Sequence, residues 1–358
     1  MKGFFKMKSE TRKQSDKNGS LLLEELIASS DGKYNPIRMF SSDQILKATN
    51  NFDADHIIAK DRFIWYKGTI EERRVLVKKW EGDHVLSPDN VYRDISILSM
   101  MSSHKNVLKL LGCCVEFHNP VMVCEYAEKG PLQVVDKEGF PLPWSTRLKI
   151  EKDIASAITF LHTAFPQVII NREINPRNIF LDENGTAKLS SFCLCISIPK
   201  GESCVFDDEA EVYGISVDPD YYGTGLVSEK FDVYSFGVTM LFLLAGELGV
   251  QWLAAMIGEF GFPFPVSVGK LSEHFIDLID QTIWNSDIKG LDVQVKAFFA
   301  LALRCVRFWP GKDFLTMIDV ARELKLIEGI VTASSKCLSF IEWSFSVFRF
   351  SLHFGLRM

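Results

Sequence analysis

The chain has 358 residues, 47% hydrophobic and 24% charged, long enough for two lobes or domains with cores of their own and ordinary enough in composition to fold over most of its length. A formal net charge of −6 argues against a bulk electrostatic grip on nucleic acid. The eight cysteines form no C-x-x-C pair and no Cys/His cluster of zinc spacing, which points to reduced thiols in a cytosolic protein and to no metal centre.

The first twenty residues are basic and include Phe4 and Phe5, but they lack the apolar core of a secretory signal. Lys2 stands where N-myristoylation needs glycine. A disordered, solvated tail is expected, with a weak touch on an anionic membrane as the alternative. Leu21 to Ser30 reads as a short amphipathic helix ended by Asp31-Gly32. Ser42 can then cap a helix in which Ile45, Leu46 and Ala48 form one apolar face. "FIWYKGTI" and "RRVLVKKW" are short β-type runs parted by the charged turn Glu71-Glu72-Arg73. A helix from Tyr92 to Ser102 presents Ile95, Leu98 and Met101, and "VLKLLGCCVE" and "PVMVCEY" follow as strands.

Beyond the Gly130-Pro131 break the pattern turns helical. "PWSTRLKIEKDIASAITFLHTA" places Leu148, Ile150, Ile154, Ala157, Ile158 and Leu161 at helical spacing behind Pro143. "FDVYSFGVTMLFLLAGE" is apolar enough for a helix buried on all sides, and "LDVQVKAFFALALRCVRF" and "TMIDVARELKLIE" supply two more. The expected fold class is α+β, a small β-rich lobe followed by a larger helical one. Residues 1–40 form the tail and leader, 41–126 the first lobe, 127–328 the second, and 329–358 an apolar, aromatic tail. Glu342, Arg349 and His353 interrupt that tail, so a membrane-spanning helix is not expected there. The alternation of Phe348, Phe350, Leu352 and Phe354 suits a strand or a membrane-surface segment; a tail without a selected role is the other reading.

Four stretches carry a family resemblance: "FSSDQILKATNNF", "KNVLKLLGCCVE", "IINREINPRNIFL" and "EKFDVYSFGV". From Phe40 to Glu328 the chain resembles a protein kinase of the plant receptor-like type. Its leader and its altered motifs make it similar to the ZRK group of receptor-like cytoplasmic pseudokinases, relatives of the wall-associated kinases. The resemblance implies a bilobal protein-kinase fold.

It also assigns roles to residues. "RVLVKKW" puts Lys78 where a kinase holds the ATP α/β-phosphates, and Asp94 where a longer Glu normally pairs with that Lys. Whether the shorter acid reaches depends on how close its helix sits. The nucleotide-covering loop should be glycine-rich, because only bare backbone lets N–H groups approach phosphates. "HIIAKDRFIWYKG" instead places Lys60, Asp61, Arg62 and Phe63 there, with no glycine between His56 and Lys67. In the catalytic loop Asn171 replaces the His, and Glu173 replaces the Asp that accepts the substrate proton. Its extra methylene displaces the carboxylate by roughly 1 Å, a shift that can cost about 10²-fold. Asn175 replaces a Lys, and Asn178 survives as half of a Mg²⁺ ligand pair. The other half is lost, since Ser191-Phe192-Cys193 stands for D-F-G. Arg172, Phe192 and Asp232 keep structural roles: a site for an acidic activation segment, the hydrophobic anchor, and the central-helix acid that ties down the catalytic loop. Asp218-Pro219-Asp220 stands for the (A/D)-P-E element; its usual Arg partner falls in "RFWPGKDFLTM", where the family's R-P is not apparent, which puts that link to the last helices in doubt.

The implied function is a catalytically impaired, kinase-like adaptor in plant immune signalling. It would bind an NLR-type immune receptor and other receptor-like cytoplasmic kinases, using Ser197 to Ser216 and the degenerate nucleotide cleft as variable surfaces. Glu173, Asn178, Ser191 and Lys78 are then vestigial; no cofactor is required, ATP binding is weak at best, and Mg²⁺ is doubtful. The expected location is the cytoplasm, with a peripheral contact to the plasma membrane as an option. The alternative is a weakly active Ser/Thr kinase using Lys78, Glu173 and Asn178.

Overall fold

The computed structural model describes residues 14–15, 17–22, 25, 37–80, 88–135, 139–207, 214–260, 279–285, 290–307 and 314–330. Phe4 and Phe5, the end of the leader near Asp31-Gly32, residues 208–213 of the Ser197 to Ser216 stretch, and residues 331–358 of the apolar tail lie outside them. The chain divides into two compact units. The first comprises Met1–Leu132, Asn171–Ile196 and Glu209–Val212; the second comprises Gln133–Ile170, Ser197–Asp208 and Tyr213–Met358.

The first unit is built on a six-stranded sheet of order β1-β5-β6-β4-β3-β2. The strands are β1 (Arg38–Met39), β2 (Ile57–Lys60), β3 (Phe63–Ile70), β4 (Arg73–Trp80), β5 (Leu110–Cys114) and β6 (Val121–Glu125). β3 and β4 coincide with the two runs read from the sequence, and Glu71 and Glu72 turn between them at φ of 50° and 64°. All pairings are antiparallel except β1 on β5. Gly112 permits that parallel contact: a Cβ there would lie 2.1 Å from the Arg38 carbonyl oxygen. The period of two sorts each strand. Ile64, Tyr66, Val75 and Val77 pack with Ile45 and Ala48 of α1 (Ser42–Ala48), while Phe63, Trp65, Leu76 and Lys78 take the opposite parity. The cap of α1 is Ser41 rather than Ser42, because Ser41 and Gln44 form a reciprocal capping box. Leu46 is only half-buried.

Helix α2 (Pro88–Met101) starts four residues before the expected Tyr92 and buries Ile95, Leu98 and Met101 fully. β7 (Gly130–Pro131) pairs with the strand Ile179–Leu181, so the expected lobe boundary at 126/127 falls inside this unit. The leader departs from expectation. Gln14, Ser15 and residues 17–20 are already helical, in the stretch read from the sequence as a solvated tail, and Leu21 and Leu22 are helical as expected. Asn18, 1% exposed, donates to the Val115 and Phe117 carbonyls (2.8 Å each) and accepts from the Tyr92 hydroxyl (2.9 Å) and from Gln14 (2.8 Å). This amide, with both donors and its acceptor oxygen used, ties the segment to Tyr92 of α2 and to the backbone at Val115 and Phe117.

The second unit is helical, completing an α+β chain: α3 (Trp144–Thr163), α4 (Pro219–Thr224), α5 (Glu229–Phe260), α6 (Leu291–Cys305) and α7 (Met317–Gly329). α3 packs on α7, and α5 on α6. Gly246 breaks α5 with φ 61° and ψ −148°. The stretch Glu229–Ala255 is long and apolar enough to cross a membrane, yet most of its apolar window is buried inside the protein, as in a core helix. Arg147, fully buried, donates to the Leu142 and Leu243 carbonyls and pairs with Asp280.

Candidate functional site

The first unit assembles Lys78, Asp94, the catalytic-type loop and the Ser191-Phe192-Cys193 segment. Lys78 lies opposite Trp65 on β3 and Met122 on β6, and its side chain is 1% exposed. Helix α2 sits close enough for the shorter acid, with Lys78 Nζ 2.6 Å from Asp94 Oδ2. The same ammonium donates to the Ser190 carbonyl (3.1 Å) and the Ser191 hydroxyl (3.4 Å). An ammonium has three protons, and all three are directed to acceptors of the chain itself. The Phe63 ring covers it, with the centroid 3.7 Å from Nζ, and Trp65 follows at 5.2 Å. Phe63 is held by stacking on Trp80, its cross-strand partner, at 4.4 Å.

Glu173 is equally occupied. Its Oε2 accepts from the Ser191 hydroxyl (2.7 Å) and the Cys193 thiol (2.8 Å), and its Oε1 accepts from Arg62 (3.1 Å). A carboxylate facing three donors of its own chain is poorly placed to take a proton from an incoming hydroxyl. Around it the loop is tied by amides. Asn171 donates to the Ser191 carbonyl (2.9 Å) and accepts the Glu173 N–H (3.0 Å); Asn175 and Asn178 both donate to the Glu173 carbonyl (3.0 Å each). Arg172, at φ 66°, donates to the Leu194 carbonyl at 2.6 Å. Phe192 is fully buried and its N–H donates to Asp94 Oδ1 at 2.9 Å, so Asp94 links Lys78 to the segment standing for D-F-G.

Electrostatics follow the packing. Burial pushes the Asp94 carboxyl up, against the pull of Lys78 and the Phe192 N–H. Burial, together with the Glu173 and Asp94 charges, holds the Cys193 thiol well above the usual range, in keeping with its role as donor to Glu173.

The turn between β2 and β3 closes over this loop. Arg62 reaches Glu173, and Asp61 reaches Arg177 at 3.3 Å, so two ion pairs of opposite polarity join turn and loop. The sequence marks residues 60–63 as replacements for glycine, but nothing in it says that Arg62 ends on Glu173.

The donor set does not fit Mg²⁺, which requires oxygen ligands, usually with a carboxylate among them. Ser191 is neutral, and the nearby carboxylates Glu173 and Asp94 already face Arg62 and Lys78, so the Asn178 amide oxygen has no uncommitted carboxylate beside it with which to share a metal. Among the described residues no group of three or more His, Cys, Asp or Glu could hold a metal ion.

In the second unit, Asp232 accepts from His162 Nε2 at 2.8 Å, and both side chains are buried. The arginine absent from the expected R-P dipeptide is Arg307. It pairs with both Asp218 and Asp220, three residues ahead of Pro310, with the Asp218–Arg307 contact largely buried. The link to the last helices is therefore present, in a different spelling.

A profile described as protein tyrosine and serine/threonine kinase matches residues 61–253. In Arabidopsis thaliana, the protein named non-functional pseudokinase ZED1 is 53% identical over 336 residues, covering 90% of this chain and 98% of its own. Serine/threonine-protein kinase ZRK1 is 41% identical over 363 residues, covering 93% and 99%. Non-functional pseudokinase ZRK2 is 41% identical over 326 residues, covering 88% and 90%.

Proposed function

The chain belongs to the protein kinase family, within the ZRK group, and we propose that it works by binding partners rather than by transferring phosphate. The observation that carries this reading is that every proton of the Lys78 ammonium and both oxygens of Glu173 are engaged by the chain itself. Phosphotransfer needs that Lys on the nucleotide, a metal between the phosphates and a free base at the hydroxyl. Each of the three is compromised at a different residue. The fold around them is closed and hydrogen-bonded, as suits a protein used for its surface.

The partner class follows from the family resemblance: an NLR-type immune receptor on one surface and other receptor-like cytoplasmic kinases on another, in plant immune signalling. The mechanism is a population shift, in which a modified partner binds and biases the receptor toward its active state. Action in the cytoplasm, with a peripheral contact to the plasma membrane, belongs to the same proposal. Affinity purification of the tagged full chain from plant tissue tests it: a co-purifying NLR-type receptor and kinase are expected, and recovery of neither would sink it.

A second reading, a weak Ser/Thr kinase using Lys78, Glu173 and Asn178, draws on the formed Lys78–Asp94 pair and on a relative named as a serine/threonine kinase. Incubating the wild-type chain with labelled ATP and Mg²⁺ separates the two. Incorporation of phosphate supports the kinase; its absence, with no thermal shift by Mg·ATP, supports the adaptor.

A further inference from the structure

Glycine-rich loops bind phosphate because nothing but backbone lies at their tip. Here the tip carries two side chains with built-in destinations. Arg62 crosses 111 positions of sequence to reach Glu173 Oε1, and its side chain is 23% exposed against 7% for Glu173. Phe63 lies flat against Lys78 Nζ, 5% exposed and backed by Trp80. The neighbouring Asp61–Arg177 pair is 56% and 74% exposed and contributes little by itself, yet its reversed polarity fixes which way the tip docks.

We propose that the Arg62-Phe63 tip is a built-in plug: Arg62 supplies the positive charge facing the loop carboxylate, Phe63 covers the phosphate-binding lysine, and together they close this site to nucleotide. The proposal rests on reading the unit as a kinase-derived site without a phosphotransfer role. It adds that nucleotide is shut out by occupancy, so that removing two side chains reopens the site. A nucleoside triphosphate entering the site has to move Phe63 off Lys78 and lift Arg62 from Glu173. Because the donor set does not fit Mg²⁺, binding to the reopened site is independent of that metal.

The test is titration of a fluorescent ATP analogue, with and without Mg²⁺, into the full chain and into the double variant Arg62→Gly/Phe63→Gly. The wild type is expected to show no saturable binding. The double variant should bind at least about tenfold tighter, equally with and without Mg²⁺. Binding by the wild type within about threefold of the variant overturns the plug, as does a cooperatively melting variant that gains nothing. If the double variant does not fold, Arg62→Ala decides, because it changes one part-exposed turn side chain. Amide exchange at Phe63 and Ile64 should then speed up by about tenfold, and unchanged exchange overturns the proposal. Absence of gain in a folded variant beside an inert wild type overturns the plug alone. Phosphate transfer by the wild type overturns the adaptor reading as well.

Discussion

Lys78 and Asp94 form an ion pair of 2.6 Å in which the lysine side chain is 1% exposed and the aspartate is fully buried. A pair this deep gains little over a well-packed apolar pair, but removing one partner strands the other charge. Lys78→Ala should therefore destabilise the protein by about 3–5 kcal/mol, read as a large fall in melting temperature. Lys78→Met/Asp94→Leu should recover much of that loss, and a double variant as unstable as the single one would refute this account. A loss of partner binding in Lys78→Ala thus measures folding before it measures nucleotide chemistry.

Arg307 spans two carboxylates, the buried Asp218 and the exposed Asp220, through two nitrogens of one guanidinium. Arg307→Ala should cost about 3 kcal/mol, chiefly because Asp218 is left buried and unpaired. Arg307→Lys should rescue little, since a point charge cannot reproduce the fork. Chemical denaturation of the three proteins checks both statements, and full rescue by Lys would show that the fork is immaterial.

Glu151 on α3 is fully buried with neither carboxyl oxygen hydrogen-bonded, and burial holds its carboxyl well above the usual range. The folded state therefore holds this proton to higher pH than the unfolded chain, which ionises at about 4.3. More protons bound in the folded state means that stability is greatest below that value and falls as pH rises toward the folded-state pKa. Glu151→Gln abolishes this contribution. Its melting temperature relative to the wild type should climb between pH 5 and pH 8; a constant difference would contradict the assignment.

The described cysteines differ sharply in access. Cys113, Cys114, Cys124, Cys193, Cys195 and Cys305 are buried, whereas Cys204 is partly exposed. Burial pushes the Cys113 thiol up to about 12, and Cys193 is also raised. In the native protein a maleimide should label Cys204 ahead of these six. Peptide mapping after a short pulse reads the order, and early labelling of Cys193 would show that the Glu173 loop opens readily.

The local devices of the fold are legible in the chain, because they repeat at short range. Short β-type runs parted by a charged turn mark β3 and β4 to the residue, and helical spacing finds Ile95, Leu98 and Met101. The cap of α1 lies one position before the expected Ser42, and its signal is in the chain, since Ser41 stands three residues before Gln44. The long-range contacts are different in kind. Arg62 and Glu173, or Arg307 and Asp218, meet only after the chain has folded, and neither residue type announces its partner. Glu173 illustrates the consequence: its carboxylate survives in sequence as a conceivable base, and only its three donors show that it serves the loop.

The Asn18 cluster bears on where this protein begins as a folding unit. The kinase-family match starts at residue 61, and the family resemblance in sequence at Phe40, yet Asn18 accepts a hydrogen bond from Tyr92, two residues before Asp94. A fragment cut to the family boundary would leave the Tyr92 hydroxyl and the Val115 and Phe117 carbonyls to find water, at about 1–3 kcal/mol for each group that fails. Asn18 and the helical residues around it are thus part of the domain's own architecture, and a truncation intended to isolate the kinase-like body would remove one of the supports of the helix that carries Asp94.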